Sequence, residues 1–262
     1  MSNFHNQGEL AVSVQNLGLI YKTTIDKKLS LTNRIKQLGR GTKQTRVVNA
    51  LNGVNLDIDY GSVLGVVGAN GAGKSTMMRV ISGILPPTTG RVEVYGKVST
   101  LLALGVGFNK QLTGRENVIL GGLASGLSRE QILSHFDEIA DFAELGEAID
   151  APMRTYSSGM YARLGFAVAV TVKPDILIVD EALSTGDAKF KEKSLAKLKE
   201  LRGDNRALIL VSHALGTIRE VCNDVAWLHK GNLIQRGNPG DVVDAYQDFL
   251  AVGKSAVINE DV

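Results

Sequence analysis

The sequence predicts an α/β core interrupted by a helical insertion, and three observations carry that expectation. Three short apolar runs, Val63–Val67, Ile176–Val179 and Ala207–Val211, have the length of buried strands. The first of them runs directly into a glycine-rich loop and then a helical pattern. Between about residues 101 and 172 the apolar residues recur at helical spacing, after which the strand register returns.

Taken in order, Val12 and Val14 alternate with polar neighbours, as do Val54, Leu56 and Ile58. Each set reads as a half-buried strand. The loop of residues 68–73 follows Val67, and Met77, Met78 and Ile81 then fall on one helical face. Pro86, Pro87 and Gly90 break the chain before a second alternating stretch at Val92, Val94 and Val98. Within the insertion, Ser128 and Gln131 have capping-box spacing, and Ile132, Phe136 and Ile139 share one face of the predicted helix. A further helix is expected over about residues 158–172, ahead of Pro174, and a Lys-rich amphipathic one over about 188–201. Gly231-Asn232 between two short apolar stretches reads as a hairpin turn. The domain expected is a single one over 1–262. Its core covers about 9–100 and 174–250, its helical subdomain about 101–173, and a tail at 253–262 is expected to fray.

Composition narrows the function. A net charge of +2 gives no global attraction to nucleic acid. The N-terminal residues are polar and lack the apolar stretch of a signal peptide. No run approaches the ~18 apolar residues that cross a bilayer, so any membrane-spanning role falls to another polypeptide. The single cysteine, Cys222, cannot pair internally and reads as a small core residue. Charge is uneven in one place: residues 22–46 hold eight Lys/Arg against one acid, Asp26. Leu29, Leu31, Ile35 and Leu38 are roughly helically spaced among Arg34, Lys36 and Arg40. A short amphipathic helix and a solvated basic loop both fit that pattern.

The chemistry concentrates at strand ends. Gly68-Ala69-Asn70-Gly71-Ala72-Gly73-Lys74-Ser75 has the spacing of a phosphate-binding loop. Glycines let backbone N–H groups turn inward around a phosphate, and the following helix adds its positive end. Lys74 is expected to reach the β- and γ-phosphates, Ser75 to ligate Mg²⁺ and Thr76 to touch the α-phosphate. Gly68, Asn70, Gly71 and Gly73 supply the backbone. Asp180 and Glu181 close the wholly apolar strand at 176–179, at the end of an α/β sheet where ligands sit. Asp180 suits the Mg²⁺ shell, and Glu181 suits orienting or deprotonating an attacking water. His213 ends the strand at 207–211 in the same way and could sense a γ-phosphate. Ser157, Ser158 and Gly159 open the helix after residue 157. They offer either a second anion site or a simple serine N-cap.

Together these residues resemble the ABC ATPase family over nearly the whole chain. Residues 156–160 look like the family's signature loop, Ser184-Thr185-Gly186-Asp187 its D-loop and His213 its switch histidine. Tyr21 stands where the family places an aromatic that stacks on adenine. The resemblance implies a P-loop NTPase core with a mainly parallel sheet, an N-terminal antiparallel β region and an inserted helical subdomain. It also implies ATP hydrolysis with Mg²⁺ by a homodimer, each signature loop closing on the partner's ATP.

Residues 104–108, 112–117 and 156–169 are more closely similar to the ATPases that export cell-surface polysaccharides such as O-antigen, capsule and teichoic acid. A lipid-linked glycan as cargo, an integral membrane permease as partner and a peripheral place on the cytoplasmic face of the membrane follow from that branch. The ATPase of an importer or of a drug exporter is the alternative. Residues 101–172 are the expected docking surface for the permease. One departure stands out: Leu101-Leu102-Ala103-Leu104 supplies neither the glutamine nor the glutamate that the family places before the 112–117 stretch, and Gln111 is a weak substitute.

Overall fold

The computed structural model describes residues 9–25, 44–100, 108–171, 173–180 and 187–260. Strands β1 (Leu10–Ile25), β2 (Gln44–Asp59) and β4 (Thr89–Val94) form an antiparallel sheet in the order β2-β1-β4. A second sheet has the order β5-β6-β7-β3-β8-β9. Its strands are β3 (Val63–Val67), β5 (Val98–Thr100), β6 (Ile176–Val179), β7 (Ala207–Val211), β8 (Asp224–His229) and β9 (Asn232–Gly237). Every pairing in it is parallel except β8 with β9.

The helices are α1 (Lys74–Ile81), α2 (Gly114–Ala124), α3 (Arg129–Ser134), α4 (Phe136–Ala143), α5 (Ser158–Thr171), α6 (Ala188–Gly203), α7 (Leu215–Val221) and α8 (Pro239–Glu260). Two short 3₁₀ turns, Gly146–Asp150 and Met153–Thr155, precede α5.

Alternation along the parallel strands sorts their side chains into two cores. Leu64, Val66, Ile176, Ile178, Ile209 and Val211 pack with α1 and the antiparallel sheet. Val63, Val67, Leu177, Val179, Leu208 and Leu210 face the opposite way, onto α5 to α8. Both faces of the sheet are covered, which is why these strands read as continuous apolar runs instead of alternating ones. Cys222 lies in the second core, where burial pushes its thiol up to about 12. A third core fills the helical insertion. Helix α5 serves two of them: Phe166, Ala169 and Val170 enter the sheet core while Leu164, Ala167 and Val168 enter the helical one. A helix wedged between two cores has no solvent stripe over most of its length, and α5 is apolar nearly all round.

Several sequence expectations are revised by packing. The stretch at Val92, Val94 and Val98 is not one strand. Val94 pairs with Val12 in the antiparallel sheet, whereas Val98 pairs with Ile176 in the parallel one. The helix expected through Ile132, Phe136 and Ile139 is broken at His135, although the Ser128–Gln131 capping box forms and all three apolar residues are buried. The hairpin turn is centred on Lys230-Gly231, with His229 opposite Asn232, one residue earlier than the sequence suggests. Lys230 (φ 46°) and Gly231 (φ 81°) both adopt left-handed conformations, the pair that matches strand twist in a two-residue turn. Helix α8 (Pro239–Glu260) includes part of the 253–262 segment. The basic helix-or-loop at 29–40 and the missing-glutamine segment at 101–104 lie outside the described residues.

Candidate functional site: a phosphate loop at the carboxyl end of the parallel sheet

Strand register brings the motifs to one edge. Val179 is paired with Leu210, and Leu210 with Gly65, so these three form one row across β6, β7 and β3. Asp180, Val211 and Val66 occupy the next row. Gly68 and His213 each lie two residues beyond it, past the ends of β3 and β7. Asp180 is half-buried and His213 exposed at this common end.

The loop at 68–75 turns sharply. Gly68, Gly71 and Gly73 have φ of 147°, 77° and 108°, a region that side-chain-bearing residues rarely adopt. Space forbids a side chain at two of them as well. A Cβ on Gly68 would collide with the Leu228 carbonyl oxygen, and one on Gly73 would lie 2.7 Å from the Ala50 oxygen. Lys74, the first residue of α1, is 6% exposed, and its Nζ donates to the carbonyls of Gly68 (2.7 Å) and Ala69 (3.1 Å). A buried ammonium held inside a glycine-turned loop is a device for binding phosphate oxygens. Ser75 is exposed on the first turn of α1, and Thr76 beside it is half-buried. The hydroxyl of Ser75 and the carboxylate of Asp180 are hard oxygen donors of the kind Mg²⁺ takes alongside phosphate.

Tyr21 lies on β1 opposite Val48 and packs at the margin of the first core. Glu181 and residues 184–186 lie outside the described residues. Asp187 is described and caps α6: its Oδ1 accepts the Phe190 N–H at 2.8 Å. Its Oδ2 pairs with Arg163 of α5, whose guanidinium also lies 5.2 Å from the Phe190 ring centre. Asp187, expected in a D-loop, and α5, expected to carry the signature loop, are thereby tied together within one chain, a contact that no spacing in the sequence announces.

At the start of α5, Ser157 Oγ accepts the Met160 N–H at 3.2 Å, so the serine cap forms. Ser157 and Ser158 remain exposed, and a Cβ added to Gly159 would have no neighbour nearer than 3.8 Å. Tyr156 anchors this loop from below, its hydroxyl donating to the Ala148 carbonyl at 2.7 Å.

The 112–117 stretch is a fastening. Thr113 and Glu116 form a reciprocal capping box on α2, and Arg115 pairs with Asp150 at 2.7 Å while lying over the Phe136 ring. Asn117 is fully buried; its Nδ2 donates to three carbonyls, Asn109, Leu112 and Thr113, and its Oδ1 accepts the Asn109 N–H at 2.7 Å. Gln111 accepts from Arg154 at 3.0 Å. Sequence reading missed Asn117 because a buried asparagine looks like any other polar residue of an exposed loop.

Residues 51–184 match the ABC transporter family. The chain is 44% identical over 219 residues to the O-antigen export system ATP-binding protein RfbB of Myxococcus xanthus, covering 82% of this chain and 50% of that protein. It is 46% identical over 200 residues to the teichoic acids export ATP-binding protein TagH of Lactiplantibacillus plantarum, covering 76% of this chain and 55% of that one. The chain thus spans about half the length of these relatives. Its fold is shared with a dimeric ATP-binding cassette solved with ADP and Pi, with TM-score 0.71 and 23% identity over 87% of this chain and 98% of the other. A glycine-turned loop at the carboxyl end of a parallel sheet, a helical insertion ending in a serine-capped helix, and identity above 40% to two export ATP-binding proteins agree: the chain belongs to the ABC transporter family.

Proposed function

We propose that the chain is the ATP-hydrolysing subunit of an exporter that moves a lipid-linked cell-surface polysaccharide through a separate membrane permease. One observation carries it: a lysine ammonium buried in a glycine-turned loop, in a chain more than 40% identical to ATP-binding proteins of O-antigen and teichoic acid export.

In this reading Lys74 and the loop N–H groups hold the ATP phosphates, and Tyr21 stacks on the base. Ser75 and Asp180 hold Mg²⁺, which when bound neutralises phosphate charge. Glu181 orients the attacking water and His213 reports the γ-phosphate. A second copy of the chain closes head to tail, bringing the N-terminus of its α5, with Ser157, Ser158 and Gly159, to the other side of the nucleotide. Positive charge from Lys74 and from two helix N-termini then faces the negative charge of the transferring group. The subunit works on the cytoplasmic face of the membrane, and among the described residues no helix is long and apolar enough to cross it.

Deletion of the gene in its host tests the cargo. The expected result is loss of a surface polysaccharide with accumulation of its lipid-linked precursor inside the cell. Intact surface glycan together with failed uptake of a nutrient, or lost resistance to a drug, would instead favour another kind of ABC transporter.

A further inference from the structure

The β8–β9 turn is tied to the outside of the phosphate loop. Gly231 N–H donates to the Ala72 carbonyl at 2.9 Å, and Gly231 O accepts the Asn52 N–H at 2.9 Å. Asn52 Nδ2 donates to the Lys230 carbonyl at 3.0 Å, an oxygen that also accepts from Asn232 Nδ2 at 3.1 Å. The fit is close: a Cβ on Gly231 would lie 2.8 Å from Ala50 O and 2.9 Å from Asn52 Nδ2. Three segments far apart in sequence therefore meet here, the 50–52 stretch of β2, the 230–231 turn and the loop at 72–73.

The consequence follows from peptide geometry. In a trans peptide the C=O and the next N–H point to opposite sides, and the chain has no cis bonds among the described residues. Holding the Ala72 carbonyl against the hairpin turns the Gly73 N–H away from it. In a loop whose glycines are otherwise free to rotate, that bond selects one of two peptide orientations. We infer that Asn52 and the Lys230–Gly231 turn are positioning residues that preset the Gly73 N–H of the phosphate loop for an incoming nucleotide phosphate. This rests on the nucleotide-binding reading of the loop. The hairpin, which the sequence offers only as a turn, acts as a splint on the binding site. Neither Asn52 nor Gly231 touches the ligand; both act through the Ala72–Gly73 peptide.

Two variants test this in the full chain, with ATP affinity read by fluorescence titration and Tm measured without nucleotide. Asn52→Asp keeps the shape of an exposed side chain but sets a carboxylate oxygen against the Lys230 carbonyl. Gly231→Ala pushes the turn off Ala50 and Asn52. The expected outcome is roughly five- to tenfold weaker ATP binding in each, the scale of one lost hydrogen bond. For Asn52→Asp, Tm and kcat at saturating ATP should stay close to wild type, and Asn52→Ser, which keeps a donor, should recover part of the affinity. Wild-type affinity in folded Asn52→Asp overturns the inference, and so does an affinity loss matched by a lower Tm. If Gly231→Ala does not fold, Asn52→Asp alone decides. Lys74→Ala is the control for the underlying reading. If wild type and Lys74→Ala bind ATP equally, the loop is not the site. If only wild type binds and Asn52→Asp is unchanged, the splint alone is wrong.

Discussion

Asn117 shows what single side chains contribute here. Four hydrogen bonds converge on a fully buried amide that joins residue 109 to the first turn of α2. Asn117→Ala takes the acceptor from the Asn109 N–H and the side-chain donor from three carbonyls that keep a backbone partner each, a cost of about 1–3 kcal/mol. Chemical denaturation should show that loss directly, and Tm should fall by roughly 5–10 °C. Asn117→Asp tests the same bonds from another side: it keeps the acceptor for the Asn109 N–H but turns three donor contacts into repulsions, and should be at least as harmful. Both substitutions leave the loop at 68–75 untouched, so residual ATP binding by the folded fraction should be normal. The sequence marks Lys74 and Asp180 because their motifs have fixed spacing. It does not mark Asn117, because its importance lies in burial, and burial is a property of the assembled chain.

At the scale of elements, α6 fastens the helical insertion to the sheet. Lys193 uses all three ammonium donors at the C-terminal end of α4, on Asp141 O (3.2 Å), Phe142 O (3.1 Å) and Glu144 Oε1 (2.9 Å). A cation there also meets the negative end of the α4 dipole. Phe142, Phe166 and Phe190, one ring each from α4, α5 and α6, pack together, the first two stacked and Phe190 edge-on to both.

The Lys193 hydrogen bond, then the charge of the same ammonium, holds the Glu144 carboxyl below its ordinary value. A depressed folded-state pKa gives stability that is present above the unfolded-state value and is lost as pH falls through the folded one. Acidification from neutral into the carboxylate range should therefore weaken this joint. Lys193→Met removes the two largest causes and leaves only the weaker pull of Lys189 and Arg163, so its unfolding free energy should fall less steeply across that range than that of wild type. Urea melts at a series of acidic pH values measure the difference. Equal slopes in the two proteins would show that the joint does not depend on Glu144 ionisation. Sequence reading places α6 correctly as Lys-rich and amphipathic, yet gives no sign that one of its lysines caps another helix.

For the whole molecule the property to test is the proposed pairing of two copies. If Glu181 is the proposed hydrolytic carboxylate, Glu181→Gln keeps the hydrogen-bonding shape but removes the charge that favours proton withdrawal from water, while Lys74, Ser75 and Asp180 stay intact. ATP binding should survive, hydrolysis should nearly stop, and the chain should accumulate as a dimer holding two ATP molecules. Adding Ser157→Arg should abolish that dimer by obstructing the exposed N-terminus of α5 with a long side chain. Size-exclusion chromatography with light scattering, with and without ATP, reads both outcomes. A Glu181→Gln protein that stays monomeric and still hydrolyses ATP would sink the assignment of Glu181.

What the sequence determined by itself was everything that local pattern encodes. Apolar runs located β3, β6 and β7, a capping box started α3, and a fixed glycine spacing marked the loop at 68–75 as the candidate phosphate loop. Each of these is written within about ten consecutive residues. Tertiary structure decided what depends on partners distant in the chain. It divided Val94 and Val98 between two sheets, joined Asp187 to Arg163, and pressed the Lys230–Gly231 turn against Ala72 and Asn52. The physical reason is one of range. Propensity, capping and alternation act between neighbours, whereas a strand's choice of sheet and a loop's peptide orientation are set by hydrogen bonds closed only when remote segments pack.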